Sequence, residues 1–321
     1  GGGENGAFGA GLLIGWSEAG TRPEFTIVTG ISTGALTAPF AFLGSDYDDE
    51  LEEVYTQYDS DEILKRRGTL KMITSDAAAS SKPLQALLRR YIDEEMRQAI
   101  AREHRTGRRL YIGTTNLDAG RPVVWNLGLI AISPHTGALD LMRSILLASS
   151  SVPGGFPPVL VEVEAAGNLY DEMHVDGGTT SQVFLYPVGI DWSRVLENLQ
   201  VPGRPDVYVL RNGRLDATWK TTKNKFTSIV GRAVAELIRT QGEGDLYRIY
   251  LQSLKDGLVF HVASIPDSFT RQPKEPFDQA YMQELFAVGR DLGLHNLGWN
   301  DNPPGIEIDA DPDGTLVPAA P

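Results

Sequence analysis

The chain contains no cysteine, which excludes disulfides, thiolate metal sites and a cysteine nucleophile. Positive charge is scarce: 29 Lys and Arg stand against 42 Asp and Glu, a formal net charge of −13. That balance argues against a nucleic-acid partner and opposes adsorption to anionic membrane. No apolar run approaches the roughly 20 residues of a membrane-spanning helix. Internal repeats and low-complexity linkers are missing as well. The sequence opens on Gly1-Gly2-Gly3 without a methionine, so a leader or anchor cannot be read from it, and cytoplasmic, exported and lipid-anchored locations all stay open.

What is present suits a folded enzyme. The 321 residues are 41% hydrophobic, enough to fill a core. Small residues at Gly6, Ala10, Gly11 and Gly15 mark a helix over 6–19 that would lie close against a sheet. An apolar strand over 25–29 runs into Gly30-Ile31-Ser32-Thr33-Gly34, and a second small-residue helix extends to Phe42, bent at Pro39. Residues 47–66 read as an acidic helix. Leu84, Leu87, Leu88, Tyr91, Ile92 and Met96 recur at helical spacing, predicting one amphipathic helix of several turns. Strands are expected at 109–115, 122–126, 159–163, 169–175, 207–211 and 259–263, and helices at 139–149, 218–240, 244–256 and 278–292. Strands alternating with helices predict an α/β layered fold around one sheet. We expect one domain over 1–301 and an exposed acidic, Pro- and Asp-rich tail over 302–321.

Three short motifs carry chemistry. Gly30 to Gly34 match the G-x-S-x-G nucleophile elbow, a strained strand-to-helix turn that exposes the Ser32 hydroxyl at a helix N-terminus. Alone the pattern is common; the strand before it and the helix after it give it weight. Gly1-Gly2-Gly3-Glu4-Asn5-Gly6 imitates a dinucleotide fingerprint, but the following strand ends in the serine elbow instead of an acidic residue. The glycine turn reads better as an oxyanion site built from backbone N–H groups. Asp176-Gly177-Gly178 closes a strand. An aspartate there is most often a turn former; as a base for Ser32 it would need partial burial and a raised pKa.

In this order the three motifs resemble the patatin-like phospholipases, a family of lipid acyl hydrolases. Thr115-Asn116-Leu117 with Gly120 and Trp125, and the stretch from Ala148 to Pro158, are similar to family segments as well. The resemblance runs from residue 1 to about 190. It implies a three-layer α/β/α fold with a central mostly parallel or mixed sheet, Ser32 as nucleophile and Asp176 as base without a histidine. It also implies Gly1, Gly2 and Gly3 as the oxyanion turn, supported by Gly6, Gly30, Gly34, Gly177 and Gly178. The substrate would be a lipid or small ester, met with at most transient membrane or micelle contact. Asn5 departs from the pattern, since many members carry Lys or Arg there. The strand that normally precedes the glycine turn would lie upstream of Gly1.

Two other readings compete. A conventional triad needs a histidine after the acid in chain order, which His261 or His295 would supply; His174 shares a strand face with Asp176. A non-catalytic lipid-binding or storage protein would keep the fold without turnover. Asp309, Asp311, Asp313 and Gly314 imitate the start of a calcium loop, but Ala320 stands where its final Glu is required. No metal or cofactor is expected.

Overall fold

A computed structural model describes residues 1–66, 79–185, 203–215, 221–304, 306, 308–310 and 316–318. A 3-10 turn (Gly3–Asn5) leads into α1 (Gly6–Glu18), which is buried from Gly6 through Trp16. A helix buried on every side needs no polar stripe, which is why none is written into its sequence. β1 (Ile27–Gly30) and α2 (Thr33–Leu43) follow, with Pro39 inside α2. The acidic stretch is two helices, α3 (Asp48–Thr56) and α4 (Ser60–Ile63), because Asp59 and Glu62 form a capping box that starts a new one. β2 (Lys65–Arg66) pairs with β3 (Ala79–Ser80).

The amphipathic stretch is also split. α5 (Lys82–Tyr91) ends before Asp93, whose side chain accepts the Met96 N–H and caps α6 (Glu94–Arg105). β4 (Arg109–Asn116), β5 (Arg121–Asn126), α7 (Leu127–Ala131), α8 (Ala138–Ser149), β6 (Val159–Ala165) and β7 (Asn168–Asp176) come next. After β8 (Asp206–Arg211), the two helices expected over 218–256 are one, α9 (Phe226–Lys255). Residues 218–220 lie outside the described residues. Gly242 and Gly244 stay helical in it, since tertiary packing outweighs weak propensity. β9 (Val259–Ser264) and α10 (Gln279–Leu294) follow. The expected exposed tail is partly tied down: Tyr250 bonds Asn302, Tyr247 donates to the Pro304 carbonyl, and β10 (Ile308–Ala310) pairs with β11 (Leu316–Pro318).

The fold is mixed α/β, a central mixed sheet flanked by helices. β4 is its hub. β5 pairs antiparallel along Tyr111 to Asn116. β1 pairs parallel with Arg109 to Ile112, and β7 antiparallel with Thr114 to Asn116. Since β5 overlaps both, β1 and β7 must share the opposite edge of β4, meeting head to head at Gly113. β6 extends the sheet from β7. β8 and β9 form a separate parallel pair.

The main core gathers Phe8, Phe40, Leu51, Ile100, Ile112, Met142 and Leu285. A second cluster under α9 holds Val207, Val209, Leu246, Ile249, Phe260 and Val262. The small residues of α1 do not mainly serve a sheet as expected; Gly11 and Gly15 serve α10. A Cβ on Gly11 would lie 2.1 Å from the Phe286 carbonyl oxygen, and one on Gly15 2.0 Å from that of Arg290. The fit is reciprocal: Gly289 and Gly293 abut the Phe8 and Leu12 carbonyls at 2.2 Å each. Only Gly9 turns to a strand, against Leu210 of β8.

Candidate active site

The head-to-head meeting of β1 and β7 sets the geometry. Gly30 pairs with Ile112, so Ser32 leaves β1 at the level of Thr114, whose partner is Asp176. Close approach at the junction depends on glycine: a Cβ on Gly177 would lie 2.5 Å from the Gly113 carbonyl oxygen and 3.1 Å from Ile31. At Gly30 a Cβ would come within 2.5 Å of the Gly34 carbonyl. Gly34 itself has room, its nearest neighbour being the Gly1 nitrogen at 3.9 Å.

Ser32 has φ 57° and ψ −129°, a conformation costing on the order of 1–3 kcal/mol for a residue with a Cβ. Its surroundings hold it there. The Ser32 N–H donates to Ser149 Oγ at 3.0 Å, and that hydroxyl donates to the Gly113 carbonyl at 2.7 Å. Behind the elbow, the Tyr55 hydroxyl meets Thr33 Oγ1 at 2.7 Å and Thr37 Oγ1 at 2.9 Å. Gly6 must be glycine here, since its Cβ would fall 2.2 Å from Thr33 Oγ1.

Asp176 is buried. Its N–H donates to the Ser151 carbonyl at 2.9 Å, and its Oδ1 accepts the Gly178 N–H at 2.7 Å. Oδ2 is buried and closes no full hydrogen bond. Burial raises the carboxyl above its ordinary 3.8, while the nearby Ser32 hydroxyl and the Gly178 amide pull it down less strongly.

The glycine turn lies beside this pair. The Cβ position of Gly1 is 3.6 Å from the Ser32 Cβ. Gly2 (φ 135°) and Gly3 (φ 57°) occupy left-handed backbone. A side chain on Gly2 would strike the Asn212 carbonyl at 2.3 Å. Among the described residues the Gly2 and Gly3 N–H groups donate to no protein acceptor, whereas the Ser32 N–H is taken by Ser149. Asn5 is not free for chemistry: its Oδ1 accepts the Tyr281 hydroxyl at 2.7 Å.

The histidines are engaged elsewhere. His174 is wholly buried, with Nδ1 3.0 Å from Thr114 Oγ1 and Nε2 3.2 Å from Glu172; Trp125 donates to the same Thr114 hydroxyl. His261 sits between Asp206 and Asp301 at 3.0 Å each, and His295 turns to the Asp291 carbonyl. Cavities of about 500 and 520 Å³ lie away from Ser32, beside Asn300 and Pro304 and beside Tyr58 and Arg90.

Sequence reasoning missed Ser149, Ser151, Gln182 and Asn212. The run Ser149-Ser150-Ser151 ending a helix was the available signal for the first two. The Gln182 Nε2 donates to the Gly178 carbonyl at 2.8 Å and Asn212 Oδ1 accepts the Gly9 N–H at 3.0 Å; neither contact leaves a local pattern.

Compared with known families, residues 1–188 match the family model described as patatin-like phospholipase. The chain belongs to the patatin-like phospholipase family. The match spans all three motifs of this patatin-like chain and ends close to where the sequence resemblance does. No curated protein matches it. Among solved structures it is similar to VipD from Legionella pneumophila, at 12% identity and a TM-score of 0.42. That alignment covers 94% of this chain and 66% of VipD, just under two thirds of its length.

Proposed function

We propose that this protein is a lipid acyl hydrolase that cleaves carboxylic esters through Ser32 and Asp176. The observation that carries the reading is the head-to-head junction at Gly113. It sets a strained serine beside a buried carboxylate that has an oxygen without a partner. Asp176 takes the hydroxyl proton as Ser32 attacks the ester carbonyl. The free N–H groups of the glycine turn face the developing oxyanion, a contribution of roughly 3–4 kcal/mol per donor in comparable enzymes. Asp176 then gives the proton to the leaving alcohol. Water, deprotonated by the same carboxylate, attacks the acyl-serine, and Asp176 returns that proton to Ser32 Oγ as the acid leaves.

The engagement of His174, His261 and His295 with other partners favours this two-residue scheme over a triad. A fluorophosphonate probe should label Ser32 and stop hydrolysis of p-nitrophenyl esters. Labelling at another residue, or full activity in Ser32→Ala, would refute the assignment.

A further inference from the structure

The strands that present Ser32 and Asp176 do not pair with each other. The pairing of β1 with β4 ends at Ile112, and that of β7 begins at Thr114. On that edge Gly113 stands between the two ladders, paired with neither. Nothing in the sheet itself fixes the nucleophile against the base, and the backbone groups at the junction must find other partners.

They find the end of α8. Met142, Ile145 and Leu146 are wholly buried and root that helix in the core. Ser149, also wholly buried, closes the gap. Its Oγ accepts the Ser32 N–H at 3.0 Å and donates to the Gly113 carbonyl at 2.7 Å. A hydroxyl can do both at once, having lone pairs and one proton. Two residues on, the Ser151 carbonyl accepts the Asp176 N–H at 2.9 Å. The other two hydroxyls of the run serve the helix. That of Ser150 donates to the Leu146 carbonyl at 3.0 Å and stands 3.4 Å from the Ser32 carbonyl, while that of Ser151 donates to Leu147. One short stretch of chain therefore holds Ser32 and Asp176 together, and Ser149 is the side chain in it that reaches the nucleophile. Without its hydroxyl the Ser32 N–H and the Gly113 carbonyl would both be buried unpaired. Ser32 would also lose a restraint on its φ of 57° and ψ of −129°.

We propose that Ser149 is a positioning residue of the Ser32–Asp176 pair, fixing the nucleophile at the strand junction from the end of a helix that also holds the base. The inference rests on the proposed ester hydrolysis and adds to it a residue that touches no substrate. A misplacement of about 1 Å at the reacting atoms can cost a hundredfold in rate.

The test compares wild type, Ser149→Ala and Ser149→Thr on a soluble p-nitrophenyl ester, with Ser150→Ala as a loss of hydroxyl from the same helix end. In Ser149→Ala kcat should fall about tenfold to a hundredfold, with KM changed by no more than about twofold. Ser149→Thr, which keeps the hydroxyl, should recover part of the loss, and Ser150→Ala should stay near wild type. The pH profile adds a readout that simple destabilisation would not move. The Ser32 hydroxyl bond holds the Asp176 carboxyl down against burial. A nucleophile that drifts away releases that hold, so the acid limb of kcat/KM should move to higher pH in Ser149→Ala. An unmoved limb, a kcat within about twofold of wild type, or an equal loss in Ser150→Ala overturns the inference. If Ser149→Ala does not fold, Ser149→Cys, of similar size but weak in hydrogen bonding, must show the same loss and the same shift. A second measurement does not depend on turnover: hydrogen exchange of the Ser32 amide, followed by NMR. Exchange about tenfold or more faster in Ser149→Ala than in wild type supports the hold on Ser32 even if no ester is cleaved, a result that would fault the proposed function alone. Equal exchange in the two proteins overturns the role of Ser149.

Discussion

As the proposed base, Asp176 would meet two conflicting demands. Burial favours its neutral form, whereas a base must be ionised. A carboxyl raised in the fold contributes stability that is fully present below its unfolded pKa and is lost as pH rises through the folded one. Above the unfolded value, folding therefore carries a cost, either of holding that buried charge or of binding a proton to it. Asp176→Asn keeps the shape, removes that charge and should raise the Tm at pH 7. The gain should shrink as pH falls toward 3.8, the ordinary value. The same variant should lose hydrolysis nearly as completely as Ser32→Ala, because members of one catalytic unit are not additive. An Asn variant less stable than wild type at pH 7 would show that the carboxylate is better compensated than its contacts indicate. The histidines provide a contrast. His261→Ala and His295→Ala should leave the acid limb of the kcat/KM profile in place. His174→Ala should cost stability by cavity formation, about 1–3 kcal/mol, without the full loss of rate expected of a triad base. A folded but inactive histidine variant would revive the triad. At this scale the meeting of Ser32 and Asp176 was legible because each sits in a short pattern. Ser149 and Asn212 were not, because each bonds a partner distant in sequence.

At the level of elements, most strands were readable within two residues, since alternation and apolar runs are local signals. Helix ends were less so. The caps at Asp59 and Asp93 interrupt apolar spacing that looks continuous, and α9 runs unbroken through Gly242 and Gly244. The glycines of α1 show the limit most clearly. Small residues announce a close neighbour but do not name it, and here the main neighbour is α10. Gly289→Ala places a methyl where the Phe8 carbonyl oxygen would be 2.2 Å away. Backbone cannot rotate aside as a side chain can, so the helices must separate, at a cost of about 1–3 kcal/mol or more. Chemical denaturation should show a lower midpoint. Because α1 carries the glycine turn at its start, kcat should fall as well. Alanine at Gly154, whose Cβ would meet nothing within 4 Å, gives a comparison free of clash, strained only by its φ of 79°.

Across the whole molecule, charge and site point in different directions. The net charge of −13 repels anionic surfaces, whereas Ser32 is buried between Gly1 and Ser149. Long-range repulsion acts on encounter and is screened by salt, while a buried contact is not. Short-chain or zwitterionic substrates should therefore be hydrolysed faster than anionic vesicles, with the gap narrowing as ionic strength rises from 10 to 150 mM (roughly 30 to 8 Å in Debye length). Faster turnover on anionic vesicles at low salt would contradict this. The charge was plain from composition, but the burial of Ser32 required the fold.

The α1–α10 crossing also bears on biosynthesis. The glycine turn leaves the ribosome well before the helix that clamps α1, which begins only at Gln279. At about 5–20 residues per second, some 15–55 seconds separate the two. During that interval α1, apolar on all sides, lacks its principal partner and is a natural client for a holding chaperone. The proposed Ser32–Asp176 site can assemble only after α10 has been made, so a nascent chain that stops short of it would carry Ser32 in an unarmed state.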